Sequence, residues 1–346
     1  MNKYFLVILF FLLCFYKISN GGQSITVQNT SIDGVYIAGN GDPFNNGKYP
    51  FNNTLQNNSL TCKNINIFNG LNICGCLLAV DESIDKNLSF NVLNIEGTLK
   101  SDASINLTGS LDLESSNLNN NNEVNILEGT TILAEEYIRI AGAQRLTSNL
   151  SFNSNNLFNN KAKLLPYSKL SSKELFISGV FVVLNSIPTI TIAKNIVSIG
   201  EGCVLEVSSS SMSLCGVMIE SMTDDFSTVN VADNIVTILK DVTLNANGNE
   251  ISILGVSFSN STIIDSFSSL ILANNTLNFH ANREYKVTRV GNFTKYNFFL
   301  YEGIKNNNTV LSFDSGQNLA SSDTVQPLNL NGVNIDIEMT KEIVLI

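Results

Sequence analysis

The chain has 346 residues, 44% of them hydrophobic, with 20 Lys+Arg against 30 Asp+Glu and a formal net charge of −10. That apolar content excludes a disordered chain, which cannot bury enough surface to offset its ordering entropy. The acidic balance, with no basic cluster anywhere, excludes a nucleic-acid partner, because such a partner needs concentrated positive charge to displace its counterions.

Residues 1–21 open with MNK, continue with the apolar run YFLVILFFLLCFY and end in small and polar residues. This is the pattern of a secretory signal peptide, with cleavage expected near Ser19–Gly22. The run is shorter than the roughly 20 residues a spanning helix needs; an uncleaved anchor is the competing reading. No second run of that length follows, so the mature chain is expected to be secreted, without a transmembrane span. Asn-X-Ser/Thr triplets at Asn29, Asn52, Asn57, Asn87, Asn106, Asn149, Asn260, Asn274, Asn292 and Asn307 are candidate glycosylation sites. Glycans there would help solvate a chain that is only 14% charged, against about 25% in a typical domain.

Residues 22–60 follow no rhythm and are expected to form an N-terminal cap. From 61 to 295 a grammar repeats. TITIAKNIVSIGEGCVLEV (189–207) returns as TVNVADNIVTILKDVTLNA (228–246), 39 residues later. Short β-branched runs alternate with polar residues and are broken by Gly, Asn or Asp, which are strand signals, and no helical period persists. Each period holds a strand–marker–strand unit, with Gly97, Gly129, Gly202, Asp241 and Asn274 as markers and one copy missing near Leu165–Pro166. A second unit is centred on Gly75, Gly109, Gly142, Gly179, Gly216 and Gly255, spaced by 34, 33, 37, 37 and 39 residues. A third apolar stretch precedes the first unit, as in TITI (189–192) and TVNV (228–231).

A period of this size signals a solenoid, whose coils bury their inner faces only by stacking. The expected fold is all-β: a parallel β-helix of about six to seven three-strand coils with end caps, the C-terminal cap being the strand-rich stretch 296–346. Asn195 and Asn234 hold the same place in successive copies. Asn tolerates the left-handed backbone of a sharp bend, and its amide can bond to the copy above. On these Asn turns and the repeat pattern of residues 60–290, the chain resembles the parallel β-helix proteins of the pectin-lyase-like superfamily.

Apart from Cys14 in the leader, the cysteines are Cys62, Cys74, Cys76, Cys203 and Cys215, and both 62–74 and 203–215 span 12 residues. In an oxidising compartment this spacing predicts bridges Cys62–Cys74 and Cys203–Cys215, with Cys76 left over or replacing Cys74. Buried free thiols are the alternative. CGC is too tight for a zinc site and no His lies near it, so no metal and no cofactor are expected.

Chemistry is sparse. His280 is the single histidine and has no nucleophile beside it, and Glu135 and Glu136 read as a turn. β-Helix proteins of the superfamily often cleave polyuronides, and hydrolysis needs carboxylates converging on one groove. Asp224, Asp225 and Asp241 are the candidates for such a site. Neither the polygalacturonase residue pattern nor an arginine inside an acidic cluster is present. The expected function is non-catalytic extracellular recognition or adhesion, with a carbohydrate or a cell-surface protein as partner. The alternative is a divergent polysaccharide lyase or glycoside hydrolase.

Overall fold

A computed structural model describes residues 24–33, 36–38, 41–42, 54–68, 70–78, 87–112, 118–146, 155–184, 189–221, 226–239, 241–245, 250–258, 267–273, 275–279, 295–302, 310–313, 328–330 and 333–335. Side chains are described for most of these residues up to Ser257, and beyond it for Asn275 alone. Each coil of the chain passes through three sheets in turn. The first sheet has eight strands, the second twelve and the third nine, and every pairing within them is parallel. The remaining strand pair, Leu328–Leu330 with Val333–Ile335, is antiparallel.

The repeated phrase is explained by register. Thr189 pairs with Thr228, Ile196 with Ile235 and Val204 with Thr243, so residues one period apart lie over one another. Alternation then decides burial: in Ile196–Ile199 and Ile235–Ile238 every second side chain is buried. The main core fills the space between the second sheet and the first half of the third, with Leu93, Ile95, Val124, Ile138 and Leu205 among its members. The ladder also runs beyond the expected bounds of 61 and 295. Ser24–Asp33 stacks in register under Ser59–Phe68, and Lys295–Glu302 stacks over Glu250–Phe258.

Two kinds of corner hold the coil. Between the first and second sheets stands a buried column of Asn58, Asn91, Asn122, Asn160, Asn195, Asn234 and Asn275. Each Nδ2 donates to the next Oδ1 over 2.7–3.1 Å. The left-handed residue of this bend is not the column Asn but the one before it: Lys194 has φ 60° and Asp233 φ 56°. The second corner divides each second-sheet strand at the marker positions. Gly97, Gly129, Gly202 and Asp241 all have positive φ, as do Asn29 and Asn64 in the first two coils. The copy expected to be missing is present, because Tyr167 fills the slot at φ 61° between strands Lys161–Leu164 and Lys169–Ser172. The marker at Asn274 lies outside the described residues, and its neighbour Asn275 belongs to the buried Asn column.

The two predicted disulfides do not form: all five described cysteines are free and buried. Cys62 and Cys203 sit in the main core. Cys74 clusters with Leu77 and Leu111, and Cys215 with Ala141, Phe181 and Met218, on the other side of the third sheet. Each supposed pair is therefore separated by a sheet. The equal spacing of 12 is a coincidence of phase. Cys62 stacks with Ile95, before the marker corner, whereas Cys203 directly follows the corner residue Gly202.

Candidate functional site

The third sheet is bent along its glycine column, and the bend gives the coil a distinctive face. A Cβ on Gly179 would lie 2.7 Å from the Gly216 carbonyl oxygen and 3.0 Å from Asn195 Cβ. The same construction at Gly216 meets the Gly255 oxygen at 2.6 Å. The strand thus presses against the Asn corner, and only glycine fits. Residues before the bend, such as Ile138 and Ile140, face the main core. Past it the inward side meets the first sheet, where Ser110 Oγ donates to Asn119 Oδ1 over 2.8 Å and Cys76 packs on Leu88.

One inward row, Asp112–Arg145–Val182, carries a fully buried ion pair, with Arg145 Nε 3.6 Å from Asp112 Oδ2. Burial pulls the Arg145 pKa down, and the Asp112 carboxylate opposes that shift. The pair joins two adjacent coils and has no route to solvent, so it works on structure.

The outward side of the bend is different. Asn72, Asn106, Arg139 and Phe176 form one in-register row before it, and Leu111, Gln144, Phe181 and Met218 a row after it. Small residues Thr108, Ala141 and Ser178 lie between, all buried. Side chains reach across this floor. Asn106 Nδ2 donates to Asn72 Oδ1 and to Gln144 Oε1, each at 2.8 Å. The Arg139 guanidinium carbon sits 4.2 Å from the Phe181 ring centroid, 5.3 Å from Phe176 and 5.7 Å from Tyr137. Such stacking holds a cation by the ring quadrupole and fixes its plane. Arg139 is half-buried and makes no ion pair among the described residues. Two buried polar atoms in this row, Asn106 Oδ1 and Arg139 Nε, have no hydrogen-bond partner among the described residues.

Of the carboxylates proposed from the sequence, Asp241 alone lies among the described residues. Asp241 is exposed at the marker corner with φ 57°, and Asp224, Asp225 and His280 lie outside the described residues. Among the described residues no three His, Cys, Asp or Glu side chains gather as metal ligands, and no helix is long and apolar enough to cross a membrane. Of the candidate glycosylation sites, Asn29 and Asn57 are exposed and Asn87 is half-buried, its Oδ1 accepting from Ser89 Oγ. Asn106 is 7% exposed. Asn52, Asn149, Asn260, Asn274, Asn292 and Asn307 lie outside the described residues. The Arg139 cluster was overlooked because arginine was sought only beside acids. The 37-residue spacing between Gly142 and Gly179 also separates Arg139 from Phe176, and that signal would have placed the cation beside a ring.

The chain matches no protein-family model, no curated protein and no solved structure. The parallel β-solenoid, alike in repeat pattern to the pectin-lyase-like superfamily, stands on the register itself.

Proposed function

We propose that the chain is a secreted glycoprotein that recognises an extracellular ligand without catalysis, through the outward face of its third sheet. The ligand class that suits this face is an acidic polysaccharide, carrying carboxylate or sulfate groups along an extended chain. The observation that carries the reading is Arg139, a half-buried guanidinium stacked on Phe181 and Phe176 with no carboxylate paired to it among the described residues. A cation oriented in advance loses little freedom when it meets an anion, and guanidinium offers two parallel N–H bonds to a carboxylate or sulfate. The net charge of −10 repels polyanions at long range, which confines attraction to this local spot. The leader, the glycosylation triplets and a solenoid that offers long ridged faces support extracellular recognition.

The test is a titration of the secreted chain with polygalacturonate and with an uncharged glucan, for wild type and for Arg139→Ala and Arg139→Lys. Binding to the acidic polymer alone is expected, weakened about tenfold by Arg139→Ala, the cost of one charge-assisted contact. Equal binding by the alanine variant would overturn the assigned face. Shortening of the polymer by wild type would overturn the non-catalytic reading.

A further inference from the structure

One candidate acceptor triplet, Asn106-Leu107-Thr108, lies inside the face that holds Arg139. Its strand, Ile105–Asp112, is buried at every position. Asn106 Nδ2 donates to Asn72 Oδ1 on the rung before it and, across the bend, to Gln144 Oε1 on the rung after it, each over 2.8 Å. A carboxamide nitrogen has two protons in a fixed plane, so both directions out of Nδ2 end on an oxygen.

N-glycosylation attaches its sugar at this nitrogen. The oligosaccharide comes from a lipid-linked diphosphate: its C1–O bond to the diphosphate breaks, a C1–Nδ2 bond forms, and one Nδ2 proton leaves with the lipid diphosphate. Whichever proton is lost, the sugar carbon replaces a hydrogen bond and overlaps the oxygen that accepted it. A modified Asn106 does not fit this strand.

The triplet is nevertheless open while the chain is being made. Gln144 follows Asn106 by 38 residues, a delay of about 2–8 s at about 5–20 residues per second. Until then Ile105–Asp112 lacks its partner strand Tyr137–Leu146 and is an open edge. The consequence of modification reaches the ligand face directly. Asn106 is paired with Arg139 on the next rung, and Gln144 is paired with Phe181, whose ring carries the Arg139 guanidinium at 4.2 Å.

We infer that sugar on Asn106 and closure of the Arg139 face exclude one another, so that occupancy of this triplet sets how many chains bind ligand. The inference rests on the secretion and ligand readings above.

The test uses the full chain made in eukaryotic secretory cells. Retained and secreted fractions are mapped for glycopeptides, passed over immobilised polygalacturonate and challenged with protease. Asn106 is expected to be bare in chains that bind, and its occupied form to be concentrated in chains that are retained or flow through. Occupied chains are expected to be cut about tenfold faster or more, as the loss of a buried hydrogen bond implies. Thr108→Val removes the acceptor triplet, keeps Asn106 and is expected to raise the binding fraction. Thr108→Ser, a poorer acceptor, keeps the hydroxyl that donates to the Ser110 carbonyl over 2.7 Å, and is expected to act in the same direction even if the valine variant folds poorly. Occupied Asn106 on chains that bind, or that resist protease as bare chains do, would overturn the exclusion. So would Asn106 bare in every fraction of a chain glycosylated elsewhere, or an unchanged binding fraction in both threonine variants. A chain bare at every triplet would overturn the secretion reading and this inference with it. Bare, protease-resistant chains that ignore polygalacturonate would overturn the ligand reading, and faster cutting of the occupied form would still support the exclusion.

Discussion

Asn195 has every polar atom of its side chain bonded to a neighbouring coil. Nδ2 donates to Asn234 Oδ1 at 2.9 Å and to the Leu157 carbonyl at 3.1 Å, while Oδ1 accepts from Asn160 N and Nδ2, both at 3.0 Å. Asn195→Ala strands buried donors and an acceptor, at about 1–3 kcal/mol each. The expected loss is about 3 kcal/mol or more by denaturant unfolding. Asn125, which donates to Asn94 on the half-buried outer row, is expected to lose under about 1 kcal/mol on the same change, because water replaces its bond. Equal losses at the two positions would contradict the buried column. The glycines divide the same way. Gly129→Ala meets open space and costs only the left-handed backbone, about 1–2 kcal/mol. Gly179→Ala drives a Cβ into the Gly216 carbonyl at 2.7 Å, and a loss of about 3 kcal/mol or more is expected. The stacking role of Asn195 and Asn234 was legible because identical residues recurred at one phase. The left-handed residues beside them were only partly so: Asn57, Asn121, Asn159 and Asp233 are types that tolerate that backbone, whereas Phe90 and Lys194 take it because the flanking column fixes it.

At the scale of the strand, alternation told apolar from polar faces but not that the third-sheet strand is covered on both. Ile105–Asp112 is buried at every position, the usual state of parallel strands. This is where sequence reasoning about the cysteines failed. It assumed one inside per coil, whereas the third sheet separates the main core from a second layer holding Cys74 and Cys215. The thiols report this burial through pH. Desolvation raises the Cys62 pKa to about 12 and the Cys203 pKa to about 11, from an ordinary 9.0. Between these values and the ordinary one, the folded chain keeps protons that the unfolded chain releases. Each thiol therefore lowers stability as pH climbs above 9, by about 1.4 kcal/mol per pH unit, and has no effect below pH 8. Urea midpoints at pH 8 and pH 10 are expected to differ less in Cys62→Val than in wild type. An identical pH response in the two chains would contradict the buried thiol.

For the whole molecule, the period, the three strands per coil and the parallel stacking could all be read from the sequence, because each coil repeats the pattern that the next must match. The extent of the solenoid could not. Residues 24–33 show no repeated phrase and still pair in register with Ser59–Phe68, since backbone bonds alone extend a parallel ladder. The functional face was hidden for a related reason. Arg139, Phe176 and Phe181 are brought together by stacking and bending, whereas Asp241, which looked chemical in the sequence, stands on an exposed corner.

The stacked register is tested most directly by spin-label distances along one outward row, Thr61–Asn94–Asn125–Lys163–Ser198–Thr237. Label pairs 61–198 and 61–237 lie four and five rungs apart, so separations of about 19 Å and about 24 Å are expected at some 4.8 Å per rung. A distance that grows by one rung per period supports stacked parallel coils. Equal or decreasing distances from the first pair to the second would contradict them.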